Sequence, residues 1–307
     1  MDLRQLQALV AIADRGSFTA AAQAIHTVQS NVSAHISRLE RELGVQLVDR
    51  HSGALTEEGL AVLERARRIG AEVDAVVSDV AALRDEVAGT VRMGMIGTTA
   101  RWVAPLLIDR LGEKHPRVKL VVGDGTSASL EPQLASGFLD AAVVNLPLAN
   151  TELVATPLFD EDLVLVVAES HPLANGEEVT LADLDGLAML LPAGGTAFRD
   201  ELDAAAMAAG ISLRPRAELD GVRLMASLAL RGYGPAILPA TGTAEALEGL
   251  KVVRVQGLPR RKVGLAQRRR GLPSAPARAT VEVLTELVAA NLDPEAGLHA
   301  PRARALR

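Results

Sequence analysis

Between residues 59 and 87, small and apolar side chains recur at alternating steps of three and four: Gly59, Val62, Ala66, Ile69, Val73, Val76, Val80, Leu83 and Val87. A 3.5-residue repeat held over about four heptads specifies one long helix with a narrow apolar seam. A helix that lies on its own domain carries a wider stripe. The seam therefore predicts pairing with a second copy of the chain through Val62, Ile69, Val73, Val76, Val80 and Leu83. Thr56, followed by Glu57 and Glu58, caps the start and sets two acids at the positive end of the helix. The helix is expected to run to about Ala88, dividing the chain into a head, residues 1–58, and a body that begins near residue 90.

In the head, Leu6, Leu9, Val10 and Ala13 share one side of a helix over about 3–14 that stops near Gly16. Ser17 can cap a second, alanine-rich helix from Phe18 to Ile25. After a turn at His26–Val28 comes QSNVSAHISRLERELG, with Val32, Ile36, Leu39 and Leu43 on one buried stripe. Two helices joined by such a turn, the second polar at its start, make a helix-turn-helix; a plain helical hairpin in a larger bundle shares the pattern. The polar start carries Gln29, Ser30, Asn31, Ser33, Ala34 and His35, side chains short enough to enter a DNA groove. Gln29 can bond adenine N6 and N7 together, and Ser33 can reach a base or a phosphate. Arg38, further along, suits a backbone phosphate or an acidic neighbour. Arg50 suits a phosphate or an ion pair with Asp49 or Glu42. Val45, Leu47 and Leu55 flank a turn at Ser52–Gly53, which predicts a small β-hairpin wing.

Charge does not mark a nucleic-acid binder. The 307 residues carry a net charge of −6, and residues 1–56 hold five arginines against five acids, although phosphate neutralisation dominates affinity for DNA. The pattern has to carry that conclusion. Aromatic residues at 2% argue against a stacking platform for single strands. The absence of cysteine removes disulfides, thiol redox sensing and thiolate metal sites. No basic-then-apolar leader opens the chain, and no apolar run approaches the roughly 18 residues a membrane span needs. The expectation is a soluble, cytoplasmic protein without a membrane partner.

From Thr90 the texture becomes α/β. Apolar runs such as VRMGMIG, VKLVVGD, LDAAVVN, LVLVVAES, LAMLLP, AILP and KVVRVQ alternate with helical stretches near 101–114, 127–136, 196–209 and 221–231. Such alternation predicts mostly parallel sheets with crossover helices, in two halves separated by a ligand-sized cleft. RRKVGLAQRRRG reads as a strand flanked by arginines in solvent, rather than as a nucleic-acid arm. A last helix is expected over 274–292, and the tail, 294–307, is expected to be loosely ordered.

Two other classes compete. An enzyme would need a nucleophile elbow, an HExxH pair, clustered carboxylates or a full phosphate-loop fingerprint; GMIG at 94–97 lacks the spacing and the lysine. A solute-binding α/β domain would explain 91–290 and leave the helical N-terminal module without a DNA role.

Over residues 2–292 the chain resembles the LysR-type transcriptional regulators. The resemblance rests on Gly16-Ser17-Phe18, Ala21-Ala22, Gln29, Ser33, Ile36, Leu39-Glu40, Leu43-Gly44, Leu47 and Arg50, then LTEEG at 55–59, LFDEDLVLVVAESHPLA and GYGPAILP. It implies a winged helix-turn-helix (1–58), a linker and dimerisation helix (59–89) and an effector-binding α/β domain (90–293). That domain would have two Rossmann-like subdomains, about 90–162 plus 262–293 and 163–261, similar to periplasmic binding proteins. It implies double-stranded promoter DNA and a small-molecule inducer as partners, a dimer assembling into a tetramer, and no catalytic residue, metal or cofactor. Three departures stand out. Val28 occupies the place of a capping Ser or Thr, Val48 and Asp49 precede Arg50, and the wing, His51 to Ala54, is short and lacks arginine. Its hold on phosphate should be weak.

The family pocket maps onto Thr98 and Thr99 after the first strand of the body, Thr126 and Ser127 after the second, Asn145, and Thr196, with Trp102 and Phe198 bordering it. Ser and Thr at helix N-termini suit a small anionic metabolite; any one of them taken alone is better accounted for as an ordinary N-cap.

Overall fold

The computed structural model describes residues 1–49, 52–84, 86–243 and 249–301. Four helices form the N-terminal part: α1 (Leu3–Arg15), α2 (Phe18–Ala24), α3 (Gln29–Leu43) and α4 (Glu57–Ala82). Asp2 caps α1 through a capping box with Gln5, and left-handed Gly16 and Gly44 end α1 and α3. Leu6, Leu9, Ile12, Val32, Ile36 and Leu39 bury together beneath Ala21 and Ala22, whose small side chains let α2 pack closely.

The wing is a short hairpin. Val48 and Leu55 form an antiparallel bridge, and the Thr56 N–H donates to Leu47 O (3.0 Å) and the Asp49 N–H to Ala54 O (2.8 Å), the cross-strand bonds of the small hairpin expected. Leu47 pairs across the wing through its carbonyl while its side chain is buried in the head core; Val45 is exposed and precedes the hairpin. The Glu40 carboxylate accepts the N–H groups of Leu47 (3.0 Å) and Val48 (3.3 Å), fastening the wing base to α3. Gly59, in the first turn of α4, lies against Leu47, where a Cβ would sit 2.1 Å from its carbonyl oxygen.

Helix α4 stops at Ala82 instead of running to Ala88. Leu83 is its C-cap, and Val87 therefore lies outside the seam. The chain must turn there to enter the first strand of the body, whose Gly89 (φ +139°) is pressed against Ser78 and Pro276.

The first subdomain comprises β1 (Gly89–Ile96), α5 (Gly97–Lys114), β2 (Val118–Gly125), α6 (Ser127–Ala135), β3 (Ala141–Asn145) and β4 (Leu153–Glu161). The second comprises β5 (Leu163–Ala168), β6 (Glu178–Thr180), β7 (Ala188–Pro192), α7 (Ala197–Ala208), β8 (Arg214–Leu219), α8 (Val222–Leu230), β9 (Ala236–Pro239) and β10 (Leu250–Gln256). The chain then returns to the first through β11 (Arg261–Arg268), α9 (Ala275–Ala290) and β12 (Leu298–His299). Among the described residues, the sheets run β12-β4-β11-β3-β1-β2 and β6-β10-β5-β9-β7-β8. They are not mostly parallel. Strand β11 is antiparallel to β3 and β4, and β5 is antiparallel to β9 and β10, because the chain passes between subdomains twice.

The C-terminal segment departs from expectation. Leu298 is buried and pairs with Glu161, while His299 pairs with Asp160. The His299 ring lies 2.9 Å from Asp162, which also receives Arg260. The open edge of β4 gives this segment backbone partners, and Leu298 an apolar site; residues 302–307 lie outside the described residues.

A DNA-reading head and a two-subdomain crevice as the candidate functional site

At the start of α3, Gln29, Ser30 and Asn31 are exposed and Arg38 is exposed further along; Ser33 and Ala34 are half-buried. The N-cap, Val28, offers no side-chain hydrogen bond. The hydroxyl of Thr27, the residue before it, accepts Asn31 Nδ2 at 2.9 Å, which commits Asn31 to the turn. The first N–H groups of α3 thus keep no side-chain acceptor, and the helix start favours an anion such as phosphate. His35 faces the opposite way from the polar start. Its Nδ1 is buried with no hydrogen-bond partner among the described residues, and its ring is close enough to Asp2 to help lower that carboxyl's pKa, after the larger effect of the Gln5 N–H. Arg50 lies outside the described residues.

Along α4, the six predicted seam residues divide. Val62 packs on the head core with buried Ala66, an intrachain role. Ile69, Val73, Val76, Val80 and Leu83 are exposed, Val76 at 64% and Leu83 at 86%, and Val77 joins them. The polar side of α4 instead meets the body: Arg68 donates to Ala135 O and pairs with Glu64 and Glu152. Asp79 accepts the Ala275 N–H at the start of α9, and Arg67 lies over Phe138.

In the body, strand register brings distant predicted residues to one sheet edge. Parallel pairing of β1 ends at Ile96 with Gly125 and places Met95 beside Val143. Thr98 and Thr99, Thr126 and Ser127, and Asn145 therefore follow the carboxyl ends of three adjacent parallel strands, the crevice position for ligands in open α/β sheets. Their chemistry differs. Thr126 caps α6 through Ser129, and Ser127 accepts the Asn145 N–H at 2.9 Å, so both serve the fold. Thr196 caps α7, accepting from Arg199 and donating to Ala193 O. Thr99 Oγ1 and Asn145 Oδ1 are buried and have no hydrogen-bond partner among the described residues. The start of α5 has no side-chain cap.

The sequence reading missed Arg261. It is buried, not solvated: Nε donates to Glu161 at 2.7 Å, Nη2 reaches Glu161 and donates to Thr98 Oγ1 at 3.1 Å, and the guanidinium stands 5.9 Å from the Phe198 ring. Glu161, fully buried, also accepts the Thr241 N–H and hydroxyl. Arg268 likewise turns inward to the Leu134 and Leu139 carbonyls. Glu201 lies nearby, its carboxyl pKa raised by burial, against the pull of Arg261 and with a push from Glu161. Trp102 packs edge-on against Phe159 and lines a different space. That cavity, about 830 Å³, is bordered by Asp162, Glu177, Glu178, Asp293 and Glu295 against Lys251 and Arg254.

A winged helix-turn-helix carried by a long helix on a two-subdomain crevice defines a ligand-responsive transcriptional regulator. The family model for the LysR-type bacterial regulatory helix-turn-helix matches residues 3–60, and that for the LysR substrate binding domain matches 84–289. The chain belongs to the LysR family of DNA-binding transcriptional regulators. It is 31% identical over 299 residues to the Escherichia coli K12 dual regulator OxyR, covering 95% of this chain and 96% of OxyR. It is 30% identical over 294 residues to the hydrogen peroxide-inducible genes activator of Pectobacterium carotovorum, with 94% and 96% covered. Full-length OxyR from Pseudomonas aeruginosa, carrying a cysteine-to-aspartate substitution, shares the fold at a TM-score of 0.77, with 24% identity and 94% of both chains covered. CbnR in complex with its target DNA follows at 0.68 and 27%, covering 93% of this chain and 99% of CbnR. Among the described residues no helix is long and apolar enough to cross a membrane.

Proposed function

We propose that the protein is a cytoplasmic homodimer that reads promoter DNA with the start of α3 and answers a small anionic metabolite held without covalent chemistry in the crevice. The observation that carries the effector reading is the pair of unpartnered buried atoms, Thr99 Oγ1 and Asn145 Oδ1, beside the uncapped start of α5. Each unmade bond costs about 1–3 kcal/mol, which a ligand recovers. An anion would take the Thr99 hydroxyl and the first N–H groups of α5, with the Asn145 amide turned to donate. The cavity beside Trp102, where five acids face two bases, suits an anion poorly.

One relative bears on the signal. The Pectobacterium protein is named for induction by hydrogen peroxide. This chain has no cysteine to oxidise, which supports a bound ligand over thiol chemistry here. For assembly, the support is the inversion on α4: polar side chains meet the chain's own body while the apolar stripe faces outward.

A thermal-shift screen of carboxylates tests the effector reading, since a ligand at a hundredfold excess over Kd stabilises the folded state by about 2.7 kcal/mol. Thr99→Val should abolish that shift and leave the unliganded protein equally or more stable. A shift lost in Trp102→Ala but kept in Thr99→Val would move the ligand to the acidic cavity. Peroxide should leave the DNA footprint unchanged; a footprint that changes with peroxide would overturn the proposal.

A further inference from the structure

The described part of the wing, Ser52 to Ala54, carries no cation, yet a winged head is held on DNA by phosphate contacts on both sides of the recognition helix. The wing turn does not stand alone. Gly53, left-handed at φ +73°, lies against the carbonyl of Gly16, where a Cβ would be 3.3 Å away. Gly16 ends α1 and immediately precedes Ser17, the N-cap of α2. The wing tip and the α1–α2 turn therefore form one edge of the head.

Among the described residues, that edge has one strong charge to spare. Arg15 closes α1, is exposed, and engages no acidic side chain among the described residues. The adjacent Asp14 is neutralised by Arg67 of α4, so it does not cancel Arg15. In a helix-turn-helix the helix before the recognition helix crosses the DNA backbone, and α2 begins three residues beyond Arg15. We infer that Arg15 supplies, from the α1–α2 turn, a phosphate contact at this edge, where the described wing residues, Ser52 to Ala54, offer no charge. It carries no sequence information; it sets affinity and register. A purely local role for Arg15, as the positive charge at the C-terminal end of α1, is the competing account.

Salt dependence separates the two. On a random duplex and on a promoter site alike, Arg15→Gln should reduce the slope of log K against log salt by about 0.9 per head. Its deficit relative to wild type should then shrink roughly 3.5-fold between 50 and 200 mM salt. Arg15→Lys should restore the slope. Glutamine keeps the helix, and thermal melting of each variant checks this. An unchanged slope in Arg15→Gln, or a loss confined to the promoter site, would overturn the inference. So would a lowered melting temperature with an unchanged slope, which would assign Arg15 to the helix end alone.

Discussion

Gly59 shows how one residue can join two parts of the head. No side chain fits between the first turn of α4 and Leu47 O, so Gly59→Ala must displace either the helix or the wing base. The strain should lower stability by about 1–3 kcal/mol, read as an earlier urea midpoint; an unchanged midpoint would mean that the two elements slide freely. The motif LTEEG marks this position in the sequence, but the sequence does not show the carbonyl that demands glycine. Glu201 illustrates a cost that composition hides. Burial raises its carboxyl pKa above the ordinary 4.5, so the unfolded chain releases this proton at lower pH than the folded one. Its contribution to stability is therefore lost as pH rises from about 4.5 through the folded value. Glu201→Gln should raise the melting temperature at pH 7, and the gain should fade as pH falls through the folded value toward 4.5. A gain of the same size at pH 4 would show that packing rather than charge is responsible.

At the scale of elements, helices were more legible than strands. Periodicity located α1 to α3 to within a residue or two, because each buries one stripe and ends in glycine, a short turn or both. It overran α4, since Val87 continues the heptad although the backbone turns into β1. Strand β8, RPRAEL, went unread because it is a largely exposed edge strand without alternation, and β12 is too short to leave a pattern. Arg261 was read as solvated because an arginine beside a strand usually is; only its pairing with Glu161, a hundred residues away, explains its burial. The exposed stripe on α4 makes a direct prediction. Val76→Lys places a charge in a seam that would otherwise exclude water, and light scattering should show the dimer dissociating. A dimer that survives intact would assign the stripe to some other contact.

For the whole molecule, the convergence of the crevice on one sheet edge came from register, which no local window contains. The same is true of the network that ties the subdomains together. Glu161 ends β4 just before the first crossing, and Arg261 begins β11 just after the second. Thr98 on the first subdomain and Thr241 on the second complete their hydrogen bonds. A buried pair with these partners stabilises less by its net energy than it would destabilise if halved, because one uncompensated charge would remain. Glu161→Gln and Arg261→Met should each cost about 3–5 kcal/mol in urea unfolding. The double variant should cost clearly less than their sum, since it removes both charges. Each single variant, but not wild type, should also show the subdomains unfolding in separate steps, because the two crossings would no longer share a partner. Additive losses with one cooperative transition throughout would show that the crossings are held by their backbone pairing, and that Arg261 only fills space.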